Sequence, residues 1–179
     1  MGRPTKKDEI VQEEFISEMA NEIMKWQKNG LHSNLQRVRG DLKKLFMHGA
    51  RDDGYKMARD LDHMGWDCDS ELVEILDCAW VSEDRALSKA IKKWVIEEGI
   101  KPAHSIGDFV KYEHKKNEEL QFEITSINVD QATYRLTSEA LGHIREGDKR
   151  QGTLGFIVPF EKIDTVDERV ATTPLFEKE

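Results

Sequence analysis

Apolar residues recur at helical spacing through the first hundred residues and at strand spacing after them. Val11, Phe15, Met19, Ile23 and Trp26 fall three or four apart, the period of one helix face. Thr5 with Asp8 has the form of a capping box before them, and Asn29–Gly30 is a stop signal after them. A second helix is predicted from a Ser33–Gln36 capping box, with Leu35, Val38, Leu42 and Leu45 as its apolar stripe. A third runs from Asp53 to His63 and ends at Gly65. A fourth begins near Asp69 or Ser70 and carries Leu72, Val73, Leu76 and Ala79. A fifth starts after Ser82, with Glu83 and Asp84 in its first turn, where the helix dipole favours acids. Leu87, Ala90, Ile91, Trp94 and Val95 form its apolar face and Gly99 ends it.

Beyond "GIKPAHS", with Pro102 as the break, the period shortens to two. "IGDFVKY", "LQFEITSI", "ATYRLTS" and "TLGFIVPF" read as four strands, or five if one is split. Leu120, Phe122 and Ile124 share one face, as do Leu154, Phe156 and Val158. The expected architecture is α+β: a bundle of about five helices over 1–100, a small antiparallel β-barrel over 105–168 and a tail over 169–179. The Gly107–Asp108–x–Val110 opening, the bent second strand and the "VPFEKI" close resemble SH3-like barrels of the KOW, Tudor and CarD kind. That resemblance implies a small interaction module and, for the KOW members, RNA or polymerase binding.

Charge changes the picture more than composition does. The chain of 179 residues is 35% charged, with a net charge of −8. Its layout is uneven. Residues 25–51 hold seven Lys and Arg against Asp41 alone, whereas residues 52–84 hold eleven Asp and Glu against Lys56 and Arg59. In the second predicted helix, Arg37, Arg39, Lys43 and Lys44 lie opposite an arc of Leu35, Val38, Leu42, Leu45 and Phe46. An apolar stripe backed by a basic face suits a helix that contacts phosphates, and suits an ordinary exposed helix equally. "GRPTKK", with Arg3, is similar to half an AT-hook, which would place Arg3 in a minor groove. Openings of this sort also occur in phage small-terminase and other phage DNA-binding proteins. Three roles for the adjoining blocks compete. They neutralise each other within the bundle or across a homodimer; they serve DNA and a basic protein separately; or the acids imitate a phosphate backbone.

Catalytic signatures are missing. There is no H-E-x-x-H, E-x-x-H, C-x-x-C, G-x-S-x-G, P-loop or G-x-G-x-x-G pattern. "DLDHMGWDCDSE" is the densest run of possible ligands, with Asp60, Asp62, His63, Asp67, Cys68, Asp69 and Glu71. It supports, as the enzymatic alternative, a metal-dependent phosphodiesterase. The same acids serve equally as helix caps and a solvated face. The Gly-rich stretch 139–155 reads as a loop with Arg145, Lys149 and Arg150 as contact residues. Cys68 and Cys78 read as two buried thiols of a cytoplasmic protein, and the tryptophans mostly as core. No apolar run reaches the length of a membrane span.

The expectation is therefore a binding or regulatory protein with no cofactor, no metal and no catalytic residue. It would act on nucleic-acid machinery, with a basic protein of that machinery, DNA, or both as partners. Asp60, Asp62, Asp67, Asp69, Glu71 and Glu74 would form the docking face, and Arg3, Arg37, Arg39, Lys43 and Lys44 the nucleic-acid contacts.

Overall fold

The computed structural model describes residues 2–26, 34–48, 53–115, 118–137 and 155–163; side chains are described for these except at 47, 48, 113–115 and 118–121. The fold is α+β, with helices first and a four-stranded antiparallel, curled half-barrel sheet after them. Two compact units divide the chain, Met1–Ile91 and Lys92–Glu179, and the division falls inside the last helix.

In the first unit α1 spans Glu9–Trp26 and α2 Leu35–His48, followed by α3 (Gly54–His63) and α4 (Ser70–Asp77). The last helix, α5, spans Ala79–Glu97. It begins three residues or more before the expected start after Ser82. Only Cys78 separates it from α4, and Cys78 caps α4 with backbone bonds to Glu74 and Leu76. With α4 and α5 taken as one interrupted helical stretch, the helices among the described residues number four, not five.

The helix starts follow local chemistry. The Thr5 backbone N–H donates to the Asp8 carboxylate at 2.8 Å, and the Thr5 hydroxyl donates to it at 3.1 Å. At α2 the cap is Asn34, whose side-chain oxygen accepts from the N–H groups of Gln36 and Arg37. Ser33 lies outside the described residues, as do the Asn29–Gly30 stop and the 139–154 loop. Asp53 caps α3 and Asp69 caps α4. The α3 start meets the α4 end closely: the Gly54 N–H donates to Asp77 at 2.6 Å. A Cβ on Gly54 would stand 2.5 Å from both that carboxylate and the Val73 carbonyl, so only glycine fits.

Val11, Phe15, Met19, Ile23, Val38, Leu42, Leu61, Leu72 and Leu76 form the core of this unit, with Phe15 edge-on to Phe46 at 4.7 Å. Leu35, expected on the apolar stripe, is exposed, because it occupies the first turn of α2 ahead of the packed face. Trp66 is 2% exposed and its indole N–H donates to the buried Asp41 carboxyl at 3.1 Å. Trp80 departs from the core expectation at 63% exposed, since it lies in the first turn of α5 on the side away from the buried Ala79 and Ser82.

In the second unit β1 (Phe109–Lys115), β2 (Glu118–Asn128), β3 (Thr133–Thr137) and β4 (Gly155–Pro159) pair in sequence order. The expected small antiparallel barrel is corrected to an open, curled half-barrel. Among the described residues the sheet has four strands, two of them five residues long, with β1 and β4 at its ends. Irregularities at Glu113/Lys115 and at Ile124/Ser126 bend the sheet. Val110, Phe122, Ile124, Tyr134, Leu136 and Val158 fill its concave face. Gly107 takes a φ of +92° in the turn before β1, where Ser105 N–H donates to Asp108 at 2.7 Å. The buried Tyr134 hydroxyl accepts from the N–H groups of Ala103 and His104, at 2.9 and 3.1 Å, and so ties the approach to β1 onto β3.

Two outcomes are expected. Trp66→Phe and Asp41→Ala each lower stability by about 1–3 kcal/mol in urea titrations, because each strands a buried polar partner. The double variant loses less than the two added together. Tyr134→Phe leaves two N–H groups without their acceptor, and hydrogen exchange at Ala103 and His104 accelerates while the β2–β3 amides stay protected.

Candidate functional site

The two charge blocks are handled differently by the fold. On α2, Arg39 lies 3.5 Å from the Glu13 carboxylate of α1, and Lys43 pairs with that same carboxylate. The hydrogen bond from Lys43 first, then the charge of Arg39, holds the Glu13 carboxyl below its ordinary range. Arg37 and Lys44 flank Asp41 one helical turn away on either side, at 3.7 and 3.5 Å. The four basic residues of α2 expected to meet nucleic acid therefore have acidic neighbours, from α1 and from α2 itself. The acidic block is not among them.

Arg3 is half-buried in the extended segment before α1. That segment is held down by Lys6, whose ammonium lies 3.1 Å from Glu83 and 2.5 Å from Asp84 at the start of α5. The hydrogen bond to Asp84 leads the causes that raise the Lys6 pKa.

The acids of 52–84 separate into two sets. Asp53, Asp69 and Asp77 bond backbone N–H groups at helix ends, and Glu83 and Asp84 hold Lys6. Asp60, Asp62, Asp67, Glu71 and Glu74 take part in no ion pair among the described residues, and neither does Asp69 beyond its capping role. Asp60 is half-buried and the other five are exposed. They lie on α3, on the 64–69 connection and on the first turns of α4. The internal-neutralisation role for the two blocks thus finds no contact among the described residues.

Cys68 sits within this field. Its thiol donates to the Ala58 carbonyl at 3.2 Å. Burial first, then the charges of Asp62, Asp67 and Asp69, push its pKa from 9.0 up to about 11. Two buried thiols were expected; Cys68 is half-buried and Cys78 exposed, since Cys78 occupies the break between α4 and α5. Among the described residues no three His, Cys, Asp or Glu side chains converge as a metal-binding set. His63 is exposed at the end of α3 and has no acidic partner there. No helix among the described residues is long and apolar enough to cross a membrane.

The feature missed at the level of sequence is the pairing of Asp41 with Trp66. An isolated acid in a basic helix was the available signal, since nothing else explains one carboxylate amid seven cations. No protein-family model, curated protein or solved structure matches the chain.

The Cys68 thiol reports the local potential. With a folded-state pKa raised above the unfolded value, the protonated thiol favours the folded state below about pH 9, and that contribution is lost as pH rises through about 11. In short iodoacetamide pulses read by mass spectrometry, Cys78 alkylates first, and Cys68 labelling rises only towards pH 11. Asp62→Asn with Asp67→Asn moves that rise to lower pH, but only part of the way, because burial remains.

Proposed function

We propose that this chain is a non-enzymatic binding protein that acts on nucleic-acid machinery through its acidic face, docking a partner surface rich in Lys and Arg. The observation that carries the reading is the asymmetry of pairing. The basic residues of α2 are matched by Glu13 and Asp41, while Asp60, Asp62, Asp67, Glu71 and Glu74 have no counter-charge among the described residues. Like charges left close together repel, and a basic partner relieves that repulsion and speeds its own association. A face of this kind presents carboxylates where a nucleic acid presents phosphates, which makes proteins that grip phosphates the natural partners.

The basic helix is the weaker candidate for direct DNA binding. Phosphates would have to displace Glu13 from Arg39 and Lys43, a modest cost because these pairs are exposed. Lys44 and Arg37 remain partly open to solvent and leave that route as a secondary one. The half-barrel, as an SH3-like module, would supply a second contact, with Phe109 and Ile157 exposed on its edge strands. The phosphodiesterase alternative draws no support from the positions of the acids, which spread along two helices and a connection.

The test neutralises the face and spares the Asp69 cap: Asp62→Asn, Asp67→Asn, Glu71→Gln and Glu74→Gln together. Thermal stability is expected to stay equal or rise. In affinity capture from the native host, nucleic-acid-binding proteins retained by the wild type should be lost by the variant, and retention should weaken with salt. The same proteins held equally by both forms would sink the reading. A wild-type chain that instead binds duplex DNA at low salt, with a loss on Arg39→Glu and Lys43→Glu, would move the function to α2.

A further inference from the structure

A second surface in the helical unit carries chemistry unrelated to the acidic face. Between α1 and α5 lies a cleft of about 850 Å³, within the size range of small-molecule sites. Glu18, Asn21, Glu22 and Lys25 line it from α1, and Ser82, Arg85 and Lys89 from α5. Most of these charges are already matched. Lys89 bridges Glu14 and Glu18, at 2.9 and 2.5 Å, and Lys25 pairs with Glu22 at 2.8 Å.

Two groups are not matched. Arg85 is exposed and has no ion-pair partner among the described residues. Ser82, one helical turn before it, is 6% exposed, and its hydroxyl makes no hydrogen bond among the described residues. A buried hydroxyl without a partner is uncommon and destabilising, so it calls for an explanation. Residues 82 and 85 are three apart on one helix, so a guanidinium and a hydroxyl face the same wall. Asn21 adds an amide from the opposite helix. Lys25 offsets Glu22 and Lys89 is shared by Glu14 and Glu18, so the donors left without a partner among the described residues are a guanidinium, a hydroxyl and an amide. That set binds an oxyanion.

We propose that the α1–α5 cleft is a binding site for a small organic oxyanion, a carboxylate or phosphate ester, held by Arg85 with Ser82 and Asn21. The proposal is independent of the docking face, since no residue is shared. The guanidinium takes the charge, the Ser82 hydroxyl gains the partner it lacks, and Met24 offers an apolar contact to the rest of the molecule.

The test uses the full chain and two simple probes, inorganic phosphate and acetate, each titrated against chloride at matched ionic strength. Backbone amide NMR shifts at Asn21, Ser82 and Arg85 are the readout. One of the probes, and not chloride, should give saturable shifts there; which one does so separates a tetrahedral from a planar ligand. Arg85→Gln should weaken that binding about tenfold or more. Ser82→Ala should weaken it several-fold while leaving thermal stability equal or higher, because it removes an unsatisfied hydroxyl; a merely structural serine would instead lower stability. Shifts that follow ionic strength alone, or saturable binding undiminished in Arg85→Gln, would overturn the assignment.

Discussion

The helical unit depends on a carboxyl group placed where carboxyl groups are seldom tolerated. Asp41 is buried in α2, against the apolar stripe of Val38, Leu42 and Leu45. Its position is sustainable because Trp66 donates an indole N–H from one side while Arg37 and Lys44 stand on the other. Remove the indole and a desolvated acceptor remains; remove the acid and two cations and an indole lose their common partner. The interaction also fixes the connection after α3, because Trp66 is its anchor, and that connection leads into the exposed acids. The Asp41–Trp66 hydrogen bond is thus a polar contact between the basic and the acidic stretches of the chain.

That arrangement explains how a chain with such uneven charge folds without satisfying it internally. Glu13 and Asp41 neutralise α2 locally, and Lys6 takes up Glu83 and Asp84. Helix ends use Asp53, Asp69 and Asp77. What remains among the described residues of the acidic stretch is negative charge on α3, α4 and the chain between them that no ion pair there absorbs. The fold tolerates it because exposed carboxylates interact weakly across water and salt.

Much of this was legible in the sequence. Period, caps and Pro102 place the helices and the strands, and α1, α3 and α4 start at the capping residues read from the sequence. The misplaced start of α5 has a physical cause. Glu83 and Asp84 look like a first turn, yet they answer to Lys6, which is seventy-odd residues away and invisible to a local window. The openness of the sheet was hidden for a similar reason, because alternation reports which face is buried and not whether the edges meet. Trp80 and Leu35 share another lesson. Apolar character at the start of a helix does not bury a side chain that precedes the packed face, as Leu35 does, or that lies on the other side from it, as Trp80 does beside the buried Ala79. The acids of the candidate face were visible as a charge excess. Their lack of partners was not, since pairing is a property of three dimensions.

The strand order of the half-barrel bears on how the second unit forms. Each strand pairs with its immediate neighbour in the chain, so no strand must wait for a distant one to be made. Short-range pairing of this kind folds fast, because little chain entropy is lost before a contact is gained. The turn of Asn128–Thr133 joins β2 to β3, and Tyr134, the first inward residue past it, reaches back to the segment ahead of β1. The pairing of longest range is that of β3 with β4, which lie on either side of the connection from Thr137 to Gly155. The closure penalty for such a loop grows only with the logarithm of its length. Insertions there would therefore delay the last strand only slightly, and evolution could lengthen that connection with little loss to the sheet.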